Sequence, residues 1–597
     1  MAHQQIKENN QQTNIWRQAW FWKHHPPEPD GEINYIEGLY LKSDWEPDPC
    51  QDEEIEDALI DFASKLATAR SAYNKISPTN ILPKQWRLIE EIKDNDLFIC
   101  IEADKNCGGC ILLRDTNNSR GMSEHLGNRA VYKPLTEHQA LIHHRKLKSQ
   151  VVAFYTKWRA KRVLSKAEFI YLSRAVDYYA DKIARFRMSL KAHKTPWKMR
   201  PIVCCVGTFM NCLSCWLDYW FQQLKHLIPT YIRDSKQLLT KLQDLQALPP
   251  NARLFTADAN SMYTNIDTDH AIEVITQWLR NLEQQNLLPV GFPTGAIIEA
   301  MELVMRNNLF EWGDMYFLQL LGTAMGTSSA CMWATIYFAV HEMGKLIPTY
   351  SSQLLLFLRF IDDMIAVWIG TDQEYEQFKN DTNNFGILTW EFEPLSKQVD
   401  FLDLTVSIEN NKITTKTYQK SINLYQYIPP YSAHPPGMIK GIIYGLLRTY
   451  HLQNTYKADY LNMATLLYHR HVARGWDRAT IKLIILEADI KVRQQQGPQP
   501  TTPQPIQLPQ PPLLQTQQQT NDTLYLHWEF HPNDIPRRRI RAIYNACCAD
   551  LFQRKLDIEK LIIAYSRPPN IKDLLTKAKL HQAPGHESSK YYKGELP

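Results

Sequence analysis

The sequence predicts an α+β chain of several subdomains, and three features lead to that expectation. Strand-like apolar runs concentrate between Leu254 and Ile408, segments with helical apolar spacing lie on either side, and one uncharged Gln/Pro-rich stretch interrupts the chain near its end. At 597 residues the chain is well beyond the ~250–300 at which a single core stops growing. Its 44% hydrophobic and 22% charged content is that of a globular protein, which excludes a collagen-like or wholly disordered chain. A net charge of +4 is small for this length, so charge must be read locally.

Taken in order, Met1 to His25 is polar and lacks the apolar core of a secretory leader, and Pro26, Pro27, Pro29, Pro47 and Pro49 suggest a loosely ordered start. No apolar run reaches 18 residues, since Leu354 to Ile369 is broken by Arg359, Asp362 and Asp363. No membrane partner is expected, and an intracellular location would keep the eleven cysteines reduced. Residues 52–76 and 136–186 show helical spacing. The pairs Cys107/Cys110 and Cys212/Cys215 have a zinc-like spacing but lie about a hundred residues apart, and Cys212 to Trp220 reads as a buried amphipathic helix, so no zinc site is assigned. Lys182 to Arg200 holds seven basic residues and no acidic one, interrupted by Phe186, Pro196 and Trp197, a composition suited to phosphate.

The strand-like runs are Leu254–Ala257, Met315–Leu321, Leu355–Ile361, Met364–Trp368 and Phe401–Ile408. Helical spacing returns at 440–492, with Trp476 and Leu483 to Leu486 on apolar faces. Gln494 to Asn521 has eleven Gln, seven Pro and no charge in 28 residues, which predicts a disordered linker. A small C-terminal region, 522–597, follows it.

Two of these runs end on carboxylates. Leu254-Phe255-Thr256-Ala257 delivers Asp258, and Asp362-Asp363 sits between two apolar strands as a tight hairpin that lacks the Gly or Asn such turns prefer. Like charges so placed are costly unless a cation neutralises them. Magnesium takes one or two protein carboxylates and leaves its other positions to water and phosphate, and two such ions ~3.5–4 Å apart clamp an in-line phosphoryl displacement. Between the carboxylates, Gln319 to Ala330 carries Gly322 and Gly326, which allow backbone or a nucleotide to approach closely.

In order and spacing these segments resemble the polymerase motifs of reverse transcriptases, and most closely those of Penelope-like retroelements, a group related to telomerase. The resemblance spans about Ile101 to Leu575. Asp104-Lys105-Asn106 and Leu190 through Val203 resemble the two fingers motifs. Asp258 to Asp267, Gly322 to Thr327 and Phe360 to Asp363 resemble motifs A, B and C, while Glu393 to Lys397 and Val399 to Leu404 fall where a further palm motif and the primer grip occur. Tyr425 to Gly445 and Ala564 to Leu575 carry words typical of this family.

The resemblance implies a right-hand polymerase: an N-terminal extension (1–89), fingers (90–250), a palm with an antiparallel sheet (251–410), a helical thumb (411–493), the linker (494–521) and a small appendage (522–597). It implies an RNA-directed DNA polymerase acting on an RNA template, a DNA primer and dNTPs, with two Mg2+ ions (Mn2+ as substitute) and a nuclear location. Asp258 and Asp362 would ligate both ions with the Ala259 carbonyl, and Asp363 would support them. Lys105 and Arg200 would hold the triphosphate, with Gly322 and Gly326 lining the nucleotide site, and Lys191, Lys194, Lys198 and Gln319 would contact nucleic acid. Lys397 is a candidate general acid. Tyr263, five residues after Asp258, would exclude a ribose 2′-hydroxyl by collision.

Many family members continue into a GIY-YIG endonuclease, whereas here Gly441-Ile442-Ile443-Tyr444 has no YIG partner after it. An endonuclease-lacking member that needs a pre-existing 3′ end, or a truncated sequence, is expected. Two alternatives differ in class: a non-catalytic RNA-binding scaffold, which would have no use for Asp258, Asp362 and Asp363, and an RNA-directed RNA polymerase, against which Tyr263 argues.

Overall fold

The computed structural model describes residues 52–495 and 523–575, except 72, 74–80, 106–107, 193, 246, 422, 433, 436, 532–533 and 568–569, together with 36, 39 and 41. Its strands in chain order are β1 (Phe98–Glu102), β2 (Gly109–Leu113), β3 (Tyr132–Leu135), β4 (Ala184–Lys191), β5 (Lys198–Cys204), β6 (Arg253–Ala259), β7 (Asn308–Trp312), β8 (Met315–Gln319), β9 (Leu354–Phe360), β10 (Asp363–Trp368), β11 (Trp390–Phe392), β12 (Gln398–Phe401), β13 (Leu404–Glu409), β14 (Lys412–Thr417), β15 (Thr523–Glu529) and β16 (Lys560–Ser566). The expected α+β class is what forms.

The central sheet has the order β11-β6-β10-β9, with every pairing antiparallel. Its middle strand β10 is an unbroken apolar run because both faces are covered. Met364, Ala366 and Trp368 pack with Trp333, Ala334 and Tyr337 of the Ala330–His341 helix, while Ile365 and Val367 face the opposite way, toward Leu404 and Val406 of β13. That alternation sets the face on which the strand-end carboxylates emerge.

A second sheet, β3-β8-β7-β4-β5, gathers strands from distant parts of the chain. The expected palm, 251–410, is therefore too inclusive, since β7 and β8 pair with β4 and β3 rather than with β6. The helical stretch expected over 136–186 is two helices, Glu137–Ala160 and Lys166–Tyr178, each opened by a capping box on Thr136 or Ser165. It stops before the basic run, which forms the β4–β5 hairpin.

Helices Met438–Gln453, Lys457–Ala473 and Arg478–Gln495 pack around Ile443, Leu447, Leu467, Ile481 and Ile484. Leu483 and Leu486 turn outward, contrary to expectation, and Trp476 lies between helices with its Nε1–H donating to the Ile428 carbonyl. The last helix extends through Gln494 and Gln495, and the rest of the expected linker lies outside the described residues, as do Cys107 and most of the first fifty positions.

The N-terminal extension and the C-terminal region share one core instead of forming two appendages. The Glu53–Ser71 helix buries Ile55, Leu59, Phe62 and Leu66 against Leu524, Trp528, Ile540, Tyr544 and Ile563, over the parallel pair β15–β16. Arg70 closes the contact by donating from Nε and Nη2 to the two Asp534 carboxylate oxygens, at 3.1 and 2.8 Å. Among the described residues no helix is long and apolar enough to cross a membrane.

Candidate active site

The site begins with the register of three strands. Asp363 at the start of β10 lies directly opposite Asp258 near the end of β6, and Glu391 of β11 lies opposite Asp258 on its other side. Cross-strand partners in an antiparallel sheet project to the same face, so three carboxylates form a row across it. Their face is the one that, farther along the strands, buries Leu254, Ile365 and Val367. Glu391 escaped the sequence reading because it stands in a three-residue strand with no apolar periodicity around it.

Asp362 completes the group from the turn between β9 and β10. Phe360 pairs with Asp363, leaving Ile361 and Asp362 as the two turn residues. Ile361 adopts φ 54°, the positive value that a tight hairpin requires at its first central position and that usually falls to Gly or Asn. A β-branched residue held there carries strain on the order of 1–3 kcal/mol and persists only where its surroundings over-determine it.

Two contacts do so. The Ala259 N–H donates to the Asp362 carbonyl at 2.8 Å, and Arg359 Nη1 donates to the Ile361 carbonyl at 2.8 Å. Arg359 is 1% exposed and paired with Glu342, which is 0% exposed. Its Nη2 also donates to the Thr335 carbonyl, its guanidinium lies over the Phe338 ring, and Glu342 accepts from the Thr230 hydroxyl at 2.6 Å. The ion pair is thus hydrogen-bonded on both sides, the condition under which a buried pair is tolerable.

Burial pushes the Asp363 carboxyl up to about 7, and the charges of Asp362 and Asp258 add to that, while Lys420 and Lys105 offset it. Asp258 is likewise raised, first by desolvation and then by Asp362 and Glu391, with Lys194 and Lys105 opposing. Carboxylates that raise one another in this way form a donor set for a cation. Among the described residues no three carboxylate, imidazole or thiolate groups stand close enough together to hold a metal ion by themselves. An open set fits magnesium, which fills its remaining positions with water and phosphate.

The cations come from the end of β1, which pairs only with β2, and from the β4–β5 hairpin of the second sheet. Lys105 follows β1 at φ 55°, and its neighbour Asp104 is fastened to β4 by its N–H on the Leu190 carbonyl at 2.8 Å. Asp104 also pairs with Arg200 of β5 at 2.9 Å. Lys191 and Lys198 face each other at the loop end of the β4–β5 hairpin. Burial holds the Lys191 ammonium below its ordinary range, and Arg200, Lys194 and Lys105 are close enough to add to that. Lys105 and Lys194 therefore reach Asp258, with Lys191 and Arg200 beside them.

Tyr263 sits in the turn that follows β6, where Ser261 takes φ 47°. The structure corrects one expectation around it and gives two glycines a backbone role. Gln319 is 3% exposed, and its amide donates to the Tyr263 and Leu321 carbonyls, so it braces this turn and presents no surface to nucleic acid. Gly322 (φ 68°) is buried with its α-carbon against the chain itself, since a Cβ there would lie 2.1 Å from the Tyr263 oxygen. Gly326 (φ 129°) is exposed and similarly tight, with 2.1 Å to the Val203 oxygen of β5. These glycines admit protein backbone, which joins the turn after β8 to both Tyr263 and β5. The Tyr263 hydroxyl meets the Cys331 thiol at 3.1 Å.

Lys397 is not at the site. Its ammonium donates to the Pro250 and Ala252 carbonyls, at the end of β6 remote from Asp258. Cys212 and Cys215 lie in the Phe209–Gln222 helix as expected, Cys212 buried in the core and Cys215 donating to the Ser328 hydroxyl.

No protein-family model matches the chain, and no curated protein matches its sequence. Among solved structures it is similar to a telomerase from Candida albicans in complex with a TWJ fragment of telomeric RNA, at 10% identity and a TM-score of 0.43 over 69% of this chain and 71% of that one. It is similar to the apo telomerase of Candida tropicalis at 10% identity and a TM-score of 0.37, over 72% and 79%. A third similarity is to the Sicinivirus 3Dpol RNA-dependent RNA polymerase, at 11% identity and a TM-score of 0.32, over 53% and 71%. At such distances the chemistry of this chain is read from its own residues.

Proposed function

We propose that the chain is an RNA-directed DNA polymerase that extends a primer 3′-hydroxyl with deoxynucleotides. The observation that carries this reading is the pairing of Asp258 with Asp363 beneath a strained hairpin that presents Asp362, with Lys105 and Lys194 close enough to oppose the Asp258 charge. Asp258, Asp362 and Asp363, with the Ala259 carbonyl, would hold two magnesium ions. When bound, magnesium neutralises charge on the phosphoryl group and lowers the pKa of the attacking hydroxyl.

The chain's own residues do the rest. Lys105 and Arg200 would orient and neutralise the triphosphate, and Asp104 fixes the Arg200 guanidinium so that its remaining donors aim in a defined direction. By the resemblance to motif A, the Tyr263 ring would collide with a ribose 2′-hydroxyl and so select the deoxy substrate. The sheet containing β4 and β5 serves as fingers, the β6–β10 sheet as palm and the helices from Met438 to Gln495 as thumb. The resemblance in sequence supports a Penelope-like retroelement origin and a nuclear setting.

The test is primer extension on a synthetic RNA template with dNTPs in Mg2+ or Mn2+, comparing wild type with Asp362→Asn. Template-dependent extension that is lost in the variant supports the reading. A folded wild type that binds primer-template and extends nothing in either metal would move the non-catalytic scaffold to first place, and preference for ribonucleotides would favour an RNA product.

A further inference from the structure

The β4–β5 hairpin carries an exposed indole that the proposed chemistry does not use. Trp197 is 52% exposed, directly before β5, in a stretch from Lys191 to Arg200 that holds Lys194 and Lys198 and no acidic residue. Singly exposed apolar residues are common and need no explanation. This one differs in how firmly its backbone is held.

Arg120 Nη1 donates to the Trp197 carbonyl at 2.8 Å and also pairs with Glu124 at 3.1 Å. Glu124 in turn accepts the Met199 N–H at 2.7 Å, and His125 Nε2 meets the Met199 carbonyl at 2.9 Å. The outer edge of β5 is thereby clamped to the Arg114–Leu126 helical segment on both sides of Lys198. Met199 is buried, so the hairpin is anchored from inside as well. A large aromatic ring held in the open beside Lys194 and Lys198, on backbone clamped at Trp197 and Met199, matches the composition of single-strand binding surfaces. There, basic groups track phosphates while rings stack on bases. Lys194 also lies close enough to Asp258 to oppose its charge, which brings this hairpin to the edge of the proposed catalytic corner.

We propose that Trp197 is a stacking platform for an unpaired base of the single-stranded template, with Lys194 and Lys198 on the flanking phosphates. The surface rests on the polymerase reading for its location but not for its chemistry, because a scaffold that bound single-stranded RNA would use it in the same way.

The experiment measures binding of full-length protein by fluorescence anisotropy, without dNTPs, to two labelled RNA–DNA duplexes, one blunt and one with an unpaired 5′ RNA extension. Trp197→Ala and Trp197→Leu should weaken binding to the extended substrate by roughly five- to a hundredfold, the usual range for losing one base–aromatic stack. Trp197→Phe should stay near wild type, and none should change binding to the blunt duplex. Wild-type affinity of Trp197→Ala for the extension would overturn the proposal, as would an equal loss on both substrates. Binding that depends on Trp197 in a protein that extends no primer would uphold this surface and reject the polymerase, whereas active extension with an indifferent Trp197 would do the reverse.

Discussion

Arg359 and Glu342 offer a way to separate what keeps the palm folded from what keeps its hairpin in a working shape. Both side chains are essentially without solvent contact, at 1% and 0% exposure. Arg359→Met would leave Glu342 buried with the Thr230 hydroxyl as its remaining named donor. Breaking one half of such a pair costs about 3–5 kcal/mol, whereas replacing both halves by apolar residues is often neutral. The single variant should therefore be markedly less stable to urea, and Arg359→Met/Glu342→Met should recover most of that loss.

Activity should not follow stability, because the double variant still lacks the donor to the Ile361 carbonyl. If the turn relaxes the ~1–3 kcal/mol typical of a residue held at a strained φ, Asp362 moves, and the extension rate at saturating dNTP falls by roughly five- to 150-fold at 1.36 kcal/mol per factor of ten. Urea denaturation and single-turnover extension on the same preparations read the two effects. A double variant that is both stable and fully active would refute the claim that Arg359 positions the hairpin.

Three further outcomes are expected. Gly322→Ala and Gly326→Ala each place a methyl 2.1 Å from a backbone oxygen at positive φ, so both should destabilise by more than the ~1 kcal/mol of an ordinary glycine replacement, seen as a lower unfolding midpoint. Asp363 has its folded pKa raised to about 7, so its protonated form favours the native state. Its contribution is fully present below the unfolded value near 3.8 and is lost as pH rises through about 7. Metal-free protein should accordingly unfold more easily at pH 8 than at pH 6, with Asp363→Asn flattening that dependence in thermal melts. Tyr263→Ala should raise incorporation of ribonucleotides relative to deoxynucleotides, and Gln319→Ala, which frees the same turn, should do so to a smaller degree while leaving primer-template affinity unchanged; unchanged sugar preference in Tyr263→Ala would remove the gate assignment.

The amino-acid sequence by itself determined the strands that end on Asp258 and begin on Asp363, because apolar runs of that length bounded by carboxylates have few other structures open to them. It also determined the helix around Cys212 and the α+β class. Other features depended on which strands meet. That Glu391 stands in the same row as Asp258 is a matter of register between segments more than a hundred residues apart. That β7 and β8 join the sheet of β4 follows from pairing across a long stretch of chain, which local periodicity does not encode. Gln319 looked free to meet a ligand until folding closed its amide onto Tyr263, and the outward turn of Leu483 and Leu486 reflects which face of their helix its two neighbours cover. The union of the Glu53–Ser71 helix with β15 and β16 brings together segments over 400 residues apart, and only a shared core, with Phe62 edge-on to Tyr544, makes one unit of them. Periodicity reports which residues want burial, whereas the partner that buries them is chosen by the whole chain.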